Sequence, residues 1–242
     1  MPCALCLKDR PLRLSHIIPE FLYAPLYDDK HRLQIISVLP DEGNQLRQKG
    51  ERERLLCEEC ETLLSKNERY ASLLLTGRLP VVRNRDEHLI SLSGVDYRQF
   101  KLFQLSILWR AGVSTLPFFE RVQLGPHAER LRTLIFAEDP GPPAHYGCIM
   151  QALTTSDGTA PALIMQPTKV RNQGQFTYKF FLGGMVWVYF VSSNPPPSPF
   201  PLCVLQESGE VFIGVGSVTD MHDLRAFVQE VSRLGRAPTG GA

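Results

Sequence analysis

The sequence has little net charge and no long apolar segment. Its 26 Lys and Arg residues nearly balance its 25 Asp and Glu residues, so the formal net charge is +1 at pH 7. A charge this small excludes attraction to nucleic acid or to an anionic membrane by a global field, and a nucleic-acid-binding face would have to be local. The longest apolar run, 180–191, has about 12 residues, whereas a membrane-spanning helix needs about 20. We therefore expect no membrane partner.

The sequence also lacks the features of a secreted protein. The opening Met1-Pro2-Cys3 leaves no room for a charged, apolar and cleavable leader. Six cysteines in 242 residues are too few for a disulfide scaffold, so we expect a cytoplasmic protein. A phosphate-binding Gly loop, a nucleophile elbow and an HExxH motif are all absent from the sequence, which argues against an enzyme for small molecules.

The composition of the chain changes near residue 80. Residues 1–80 are rich in cysteine and charge, and Gly77, Pro80 and the polar stretch 83–87 are boundary signals. We predict an α+β fold with two domains. A zinc-binding module would occupy residues 1–80, and an α+β domain would occupy residues 81–242.

Periodicity in the second domain predicts helices followed by a sheet. A helical connector over 95–137 contains two helical segments, 96–113 and 126–136. A mostly antiparallel sheet is expected within 145–216, from stretches rich in β-branched and aromatic residues: 146–153, 162–165, 176–181, 185–191 and 211–215. Gly183-Gly184 predicts a hairpin turn. A C-terminal helix is expected over 219–234, with Thr219 as its N-cap.

Four of the six cysteines form two CxxC pairs, Cys3 with Cys6 and Cys57 with Cys60. Two thiolates in one tight turn can point at the same metal ion, and two such pairs complete a tetrahedron around zinc. Because protein sulfurs would fill all four positions, this zinc would stabilise the fold and carry out no chemistry. Redox chemistry would call for a thioredoxin-like βαβ pattern, which the sequence does not show, and structural disulfides do not fit a reducing compartment.

The segments between the two pairs carry a family resemblance. Leu14-Ser15-His16-Ile17-Ile18-Pro19-Glu20 follows the first pair, and Arg54-Leu55-Leu56 leads into the second. In the order of these motifs and in their local sequence, residues 3–70 resemble the HNH (ββα-metal) endonuclease superfamily. The resemblance implies a ββα-metal-like module. It also implies that His16 is a general base, taking a proton from the water that attacks a phosphodiester beside a bound divalent ion. An imidazole can accept a proton at cellular pH. The other interpretation of His16 is a hydrogen-bonded structural histidine at the end of a strand.

The sequence departs from the family pattern at three positions. Ser15 stands where catalytic members commonly have Asp, Arg52 stands near the expected Asn, and Glu61 follows the second pair where His or Asn is common. If a helix starts near Glu58, Glu61 and Glu68 lie two turns apart on one face. Their oxygens suit Mg²⁺ or Mn²⁺, so both are candidate ligands, although a solvated helix face explains each of them alone.

Four basic residues precede the second pair: Arg47, Lys49, Arg52 and Arg54, with Gly50 among them. They could hold phosphates, and Gly50 would then allow close approach of the backbone. Glu51 and Glu53 alternate with two of them, however, so a surface strand of mixed charge is the other interpretation.

Two functions stay open on the sequence. The first is a metal-dependent, HNH-like endonuclease that hydrolyses phosphodiesters of nucleic acid, DNA in particular, with residues 81–242 selecting the substrate or a protein partner. The second is a catalytically inactive zinc-binding module that binds nucleic acid or protein. The missing ligands favour the second function, and the retained His-Ile-Ile-Pro motif favours the first.

Overall fold

The computed structural model describes residues 1–36, 44–160 and 163–235. The helices in these ranges are α1 (Glu20–Tyr23), α2 (Glu58–Leu75), α3 (Tyr97–Val113), α4 (His127–Phe136) and α5 (His222–Arg233). The strands are β1 (Leu12–His16), β2 (Leu33–Ile35), β3 (Gln45–Arg47), β4 (Arg52–Cys57), β5 (Val82–Arg85), β6 (Leu89–Ser93), β7 (Cys148–Thr154), β8 (Met165–Asn172), β9 (Gln175–Leu182), β10 (Met185–Phe190) and β11 (Val211–Ser217). The predicted α+β class is confirmed.

The N-terminal part is built on a pair of strands followed at once by a helix. Strands β1 and β4 are antiparallel, with Leu12 opposite Cys57 and His16 opposite Arg52, and α2 begins directly after Cys57. Acidic residues in the first turn of α2 favour a helix start, because they face the positive end of its dipole. Gly77, at φ +74°, follows the last turn of this helix, where its backbone donates to Leu74 O.

The second part contains a seven-stranded sheet in the order β5-β6-β11-β7-β10-β9-β8. All neighbouring strands are antiparallel except β11 and β7, so the sheet is mixed. The predicted hairpin at Gly183-Gly184 is confirmed. Leu182 pairs with Met185 across it, and both glycines have positive φ, as a type I′ turn requires.

Helix α3 lies between this sheet and the N-terminal part. Every residue from Phe100 to Ala111 is buried, which is the pattern of a helix enclosed on all sides. Phe100 and Phe103 of α3 contact the Trp187 ring of β10. On the opposite face of the sheet, Leu224 of α5 packs against a separate group of buried side chains, Leu153, Phe181 and Val186. Successive side chains of a strand point to opposite faces of the sheet. One face therefore packs against α3, and the other packs against α5.

Three predicted boundaries are corrected by the structure. The C-terminal helix, expected over 219–234 with Thr219 as its N-cap, begins only at His222, and its N-cap is Met221. Thr219 lies in the short 3-10 turn before it, where its N donates to Ser217 Oγ (3.2 Å). The strand expected over 162–165 is β8, which starts at Met165; residues 161–162 lie outside the described ranges. The sheet also extends beyond 145–216, since β5 and β6 belong to it.

One continuous cluster of buried apolar side chains runs from Cys3 in the N-terminal part to Ile213 in the sheet. The division into domains near residue 80 stays a prediction. Among the described helices, none combines the length and the apolar character needed to cross a bilayer.

Candidate metal centre and the adjoining polar cluster

The first CxxC pair lies in a tight turn that is fixed by backbone hydrogen bonds. Leu7 N donates to Cys3 O (2.9 Å), and Cys3 N donates to Lys8 O (3.0 Å). Leu7 has a φ of +62°, which turns the chain back on itself after Cys6. Ala4 N donates to Leu55 O (3.0 Å). The turn is therefore held against β4 just before the second CxxC pair.

The second pair spans the junction of β4 with α2. Cys57 is the last residue of the strand and the N-cap of the helix, and Cys60 lies in the first helical turn. A strand-to-helix junction brings two side chains three residues apart to the same side of the backbone. Both pairs thus present their sulfurs to one point.

The four sulfurs lie within 4.8 Å of one another. Cys6 Sγ is 3.8 Å from Cys57 Sγ, and Cys57 N donates to Cys3 Sγ (3.3 Å). A tetrahedral zinc site with Zn–S bonds of about 2.3 Å has sulfurs about 3.8 Å apart, so the spacing fits zinc. None of the four cysteines forms a disulfide. The four side chains can therefore bind one zinc ion.

The electrostatics of the cluster favour a bound cation. Burial and the neighbouring sulfurs of Cys3, Cys57 and Cys6 raise the pKa of Cys60 above its usual range. Metal binding needs thiolates, and a zinc ion would supply the positive charge that stabilises them. Two arginines lie at the rim. Arg132 Nη1 donates to Leu5 O (2.7 Å), and Arg10 interacts with Cys57, which suits the negative charge of a four-thiolate zinc site.

His16 lies at the far end of β1 from the cysteines. Its Nε2 is 2.8 Å from Glu20 Oε2, but without the alignment of a hydrogen bond, and this nitrogen is covered from solvent. The imidazole as a whole is 26% exposed. Burial lowers its pKa, Arg52 and Lys49 lower it further, and Glu20 and Glu68 oppose the shift. The net direction is downward, so the ring is neutral at pH 7.

Glu20 is itself held by further polar groups. Tyr27 Oη donates to Glu20 Oε1 (2.8 Å), and His31 Nε2 lies 3.8 Å from the same oxygen. The His31 ring stacks on Tyr27, with ring centroids 4.1 Å apart. Glu20 is therefore held beside the His16 imidazole.

One nitrogen of Arg110 contacts both His16 and Glu68, two of the predicted site residues. Arg110 Nη1 donates to His16 O (2.8 Å) and lies 2.7 Å from Glu68 Oε1. The Arg110 side chain is 2% exposed, and its other nitrogens bond Ser106. The predicted residues His16 and Glu68 are thus brought together, by a residue of α3 that we did not predict. The available signal was a basic residue within an otherwise apolar stretch of α3.

Glu61 lies on the same side of α2 as Glu68, as their spacing predicts. Its Oε1 is buried without a hydrogen-bond partner. Burial raises the pKa of Glu61, while Ser15 and Arg110 oppose the shift. Ser15 is 2% exposed, and its Oγ accepts from Leu56 N (3.2 Å) beside a bulge between β1 and β4. In this structure Ser15 therefore stabilises the strand pair.

Gly50 has a packing role. A Cβ on Gly50 would lie 2.3 Å from Tyr23 Cε2, so the Tyr23 ring occupies the space that we predicted would admit a phosphate. Tyr23 Oη also accepts from Glu51 N (3.1 Å). The absence of a side chain at Gly50 therefore serves the interior of the N-terminal part.

Within residues 1–36, 44–160 and 163–235, the four cysteines are the one group of three or more His, Cys, Asp or Glu side chains close enough to share an ion. Comparisons of the chain with protein families, with curated proteins and with solved structures find no match.

Proposed function

We propose that residues 1–80 form a zinc-braced module of the HNH (ββα-metal) type, which hydrolyses phosphodiester bonds of nucleic acid with His16 as the general base. One observation carries the proposal. Two antiparallel strands and a helix bring the four sulfurs to one end of β1, and His16 lies at the other end near Glu68 of α2. A structural zinc at one end would hold the base in position at the other.

The surroundings of His16 suit a general base. Its lowered pKa keeps the imidazole neutral at pH 7, and the Glu20 carboxylate lies 2.8 Å from its Nε2. In the proposed reaction, a water oxygen attacks phosphorus and gives its proton to His16. The bond from phosphorus to the leaving sugar oxygen breaks, and that oxygen takes a proton from solvent.

The residues around His16 offer part of a site for Mg²⁺ or Mn²⁺. The buried, unpartnered Oε1 of Glu61 is a hard oxygen ligand, and Glu68 lies near it, although it is already paired with Arg110. Mg²⁺ commonly takes one or two carboxylates and completes its shell with water and substrate phosphate, so Glu61 with Glu68 fits such an ion. When bound, the ion would stabilise the charge that develops on the phosphate.

The second function, an inactive zinc module that binds nucleic acid or protein, has its own support. The ion pair with Arg110 neutralises Glu68, and His16 Nε2 is covered by Glu20. In the nuclease, residues 81–242 would select the DNA substrate. In the inactive module, they would select the DNA or protein partner.

A cleavage assay on the full chain separates the two functions. The zinc-loaded protein is incubated with plasmid, single-stranded DNA and RNA in Mg²⁺, Mn²⁺ or Ca²⁺, beside His16→Ala and the control His222→Ala, whose side chain is 89% exposed. If the protein is a nuclease, we expect metal-dependent cleavage that disappears in His16→Ala and persists in His222→Ala. Binding without cleavage in every metal would support the inactive module.

A further inference from the structure

Arg52 lies directly across the strand pair from His16. The two residues are partners in the antiparallel register of β1 and β4, and both are half-buried. Cross-strand partners have their side chains on the same face of the sheet, with Cβ atoms about 5 Å apart. The guanidinium of Arg52 and the imidazole of His16 therefore lie on the same face of the strand pair.

The structure divides the four basic residues of this segment into two groups. Arg47 Nη1 lies 2.6 Å from Glu51 Oε1, and Arg54 Nη1 donates to Leu12 O (3.0 Å). Arg52 and Lys49 have neither an ion pair nor a side-chain hydrogen bond to the part of the chain that the structure describes. Both nevertheless act on the His16 imidazole, where their charges lower its pKa.

The two carboxylates that flank Arg52 in the sequence, Glu51 and Glu53, have other partners. Glu51 pairs with Arg47. Glu53 accepts from Ser114 Oγ (2.8 Å) and from Thr115 N (3.1 Å) at the end of α3. Glu20 accepts from Tyr27 Oη through Oε1 only, and its Oε2 lies 2.8 Å from His16 Nε2. Within the described residues, Arg52 therefore forms no ion pair. A half-buried guanidinium without a paired acid has lost hydration without gaining a counter-charge, and an anion would restore the balance.

We infer that Arg52, with Lys49 beside it, forms a phosphate-binding subsite next to His16, which holds the phosphodiester that the base acts on. This inference rests on the proposed function. The guanidinium offers two parallel N–H donors to the two non-bridging phosphate oxygens, and Lys49 adds a more exposed positive charge. The charge of Arg52 would thus replace the amide expected near this position from the sequence resemblance.

The test measures binding separately from cleavage. The full zinc-loaded chain is titrated into fluorescein-labelled duplex DNA in Ca²⁺, at several salt concentrations, and anisotropy gives Kd. The variants are Arg52→Gln and Arg52→Lys, with Arg54→Gln as the matched control on the same strand. Zinc content and thermal unfolding are compared with the parent, so that a misfolded variant is recognised; Arg52→Lys gives a second reading should Arg52→Gln misfold. Cleavage in Mg²⁺ is measured in parallel.

The inference predicts that Arg52→Gln raises Kd by about tenfold, the size of one charge-assisted hydrogen bond, and lowers the salt slope by about one. Arg52→Lys should lose part of this affinity, and Arg54→Gln should stay within about twofold of the parent. Equal losses in Arg52→Gln and Arg54→Gln, or no loss in either, would overturn the subsite.

Cleavage distinguishes failure of the subsite from failure of the nuclease proposal. A parent that cleaves DNA while Arg52→Gln binds and cleaves normally overturns the subsite alone. Binding that depends on Arg52 without cleavage in any metal supports the subsite and overturns the nuclease. A parent that binds no DNA overturns the subsite, and it overturns the nuclease as well if plasmid, single-stranded DNA and RNA all stay intact.

Discussion

Arg110 and Glu68 form an ion pair, with 2.7 Å between Nη1 and Oε1, that joins α3 to α2. Arg110→Gln should destabilise the protein by about 3 kcal/mol, because it leaves Glu68 without its partner and His16 O without its donor. Arg98→Gln on the same helix is the control. Its pair with Glu138 is exposed, and its loss should cost less than about 1 kcal/mol. Urea unfolding measures both changes, and equal effects would contradict a buried role for Arg110.

The continuous core predicts a single unfolding transition. Trp109 and Trp187 are both buried, in α3 and in the sheet, whereas the cysteines lie in the N-terminal part. Tryptophan fluorescence and the release of zinc to a colorimetric chelator should therefore follow the same curve with urea concentration. Zinc release well before the change in fluorescence would show instead that residues 1–80 unfold independently.

Glu61→Gln should stabilise the protein by about 1 kcal/mol at pH 7 without added Mg²⁺, because it removes the charge of a carboxylate that burial disfavours. Burial raises the pKa of Glu61 above that of the unfolded chain. The ionised carboxylate therefore lowers the stability of the fold at neutral pH, and this loss disappears as the pH falls below the raised pKa. The difference from the parent should shrink in acid. Glu58→Gln, which removes an exposed pair with Arg13, should give no gain. A Glu61→Gln variant less stable than the parent at pH 7 would contradict the prediction.

The pH dependence of cleavage should report the lowered pKa of His16. Because burial and the nearby cations Arg52 and Lys49 lower this pKa below 6.5, the imidazole stays neutral and able to accept a proton until the pH falls below 6.5. The acid limb of kcat/KM should therefore lie below pH 6.5, and Arg52→Gln should move it upward by removing one of the lowering charges. An acid limb above pH 6.5 in the parent would argue against His16 as the base.

The sequence predicted the features that depend on local patterns. Two CxxC pairs can meet at one metal ion only if the chain folds back, and the structure brings their sulfurs within 4.8 Å. The Gly183-Gly184 turn follows from the backbone angles that glycine permits. The seven-residue spacing of Glu61 and Glu68 places them on one side of α2 once the helix is known.

The remaining features depend on long-range packing that a single sequence does not reveal. Nothing in the sequence near Arg110 indicates that its guanidinium reaches both His16 and Glu68, since the partners come from separate elements. The parallel pairing of β11 with β7 depends on how the chain crosses the sheet. The hydrogen bond of Ser15 to Leu56 N arises from a bulge that only the strand register shows.

If the four cysteines bind zinc, replacing any one of them should greatly lower the stability of the protein. Cys57→Ser should lose zinc and destabilise the whole chain through its continuous core, because binding of structural zinc supplies on the order of 10 kcal/mol. Cys203→Ser is the control. Cys203 is half-buried and lies outside the cysteine cluster, so this variant should keep its zinc. Metal analysis and circular dichroism of both variants measure the difference, and a Cys57→Ser variant as stable as the parent would refute the prediction.

The most direct measurement is metal analysis of the freshly purified parent, combined with X-ray absorption at the zinc edge. We predict one zinc per chain, with four sulfur neighbours at about 2.3 Å. Protein that contains no zinc, or zinc with nitrogen or oxygen ligands in place of any of these sulfurs, would contradict the account.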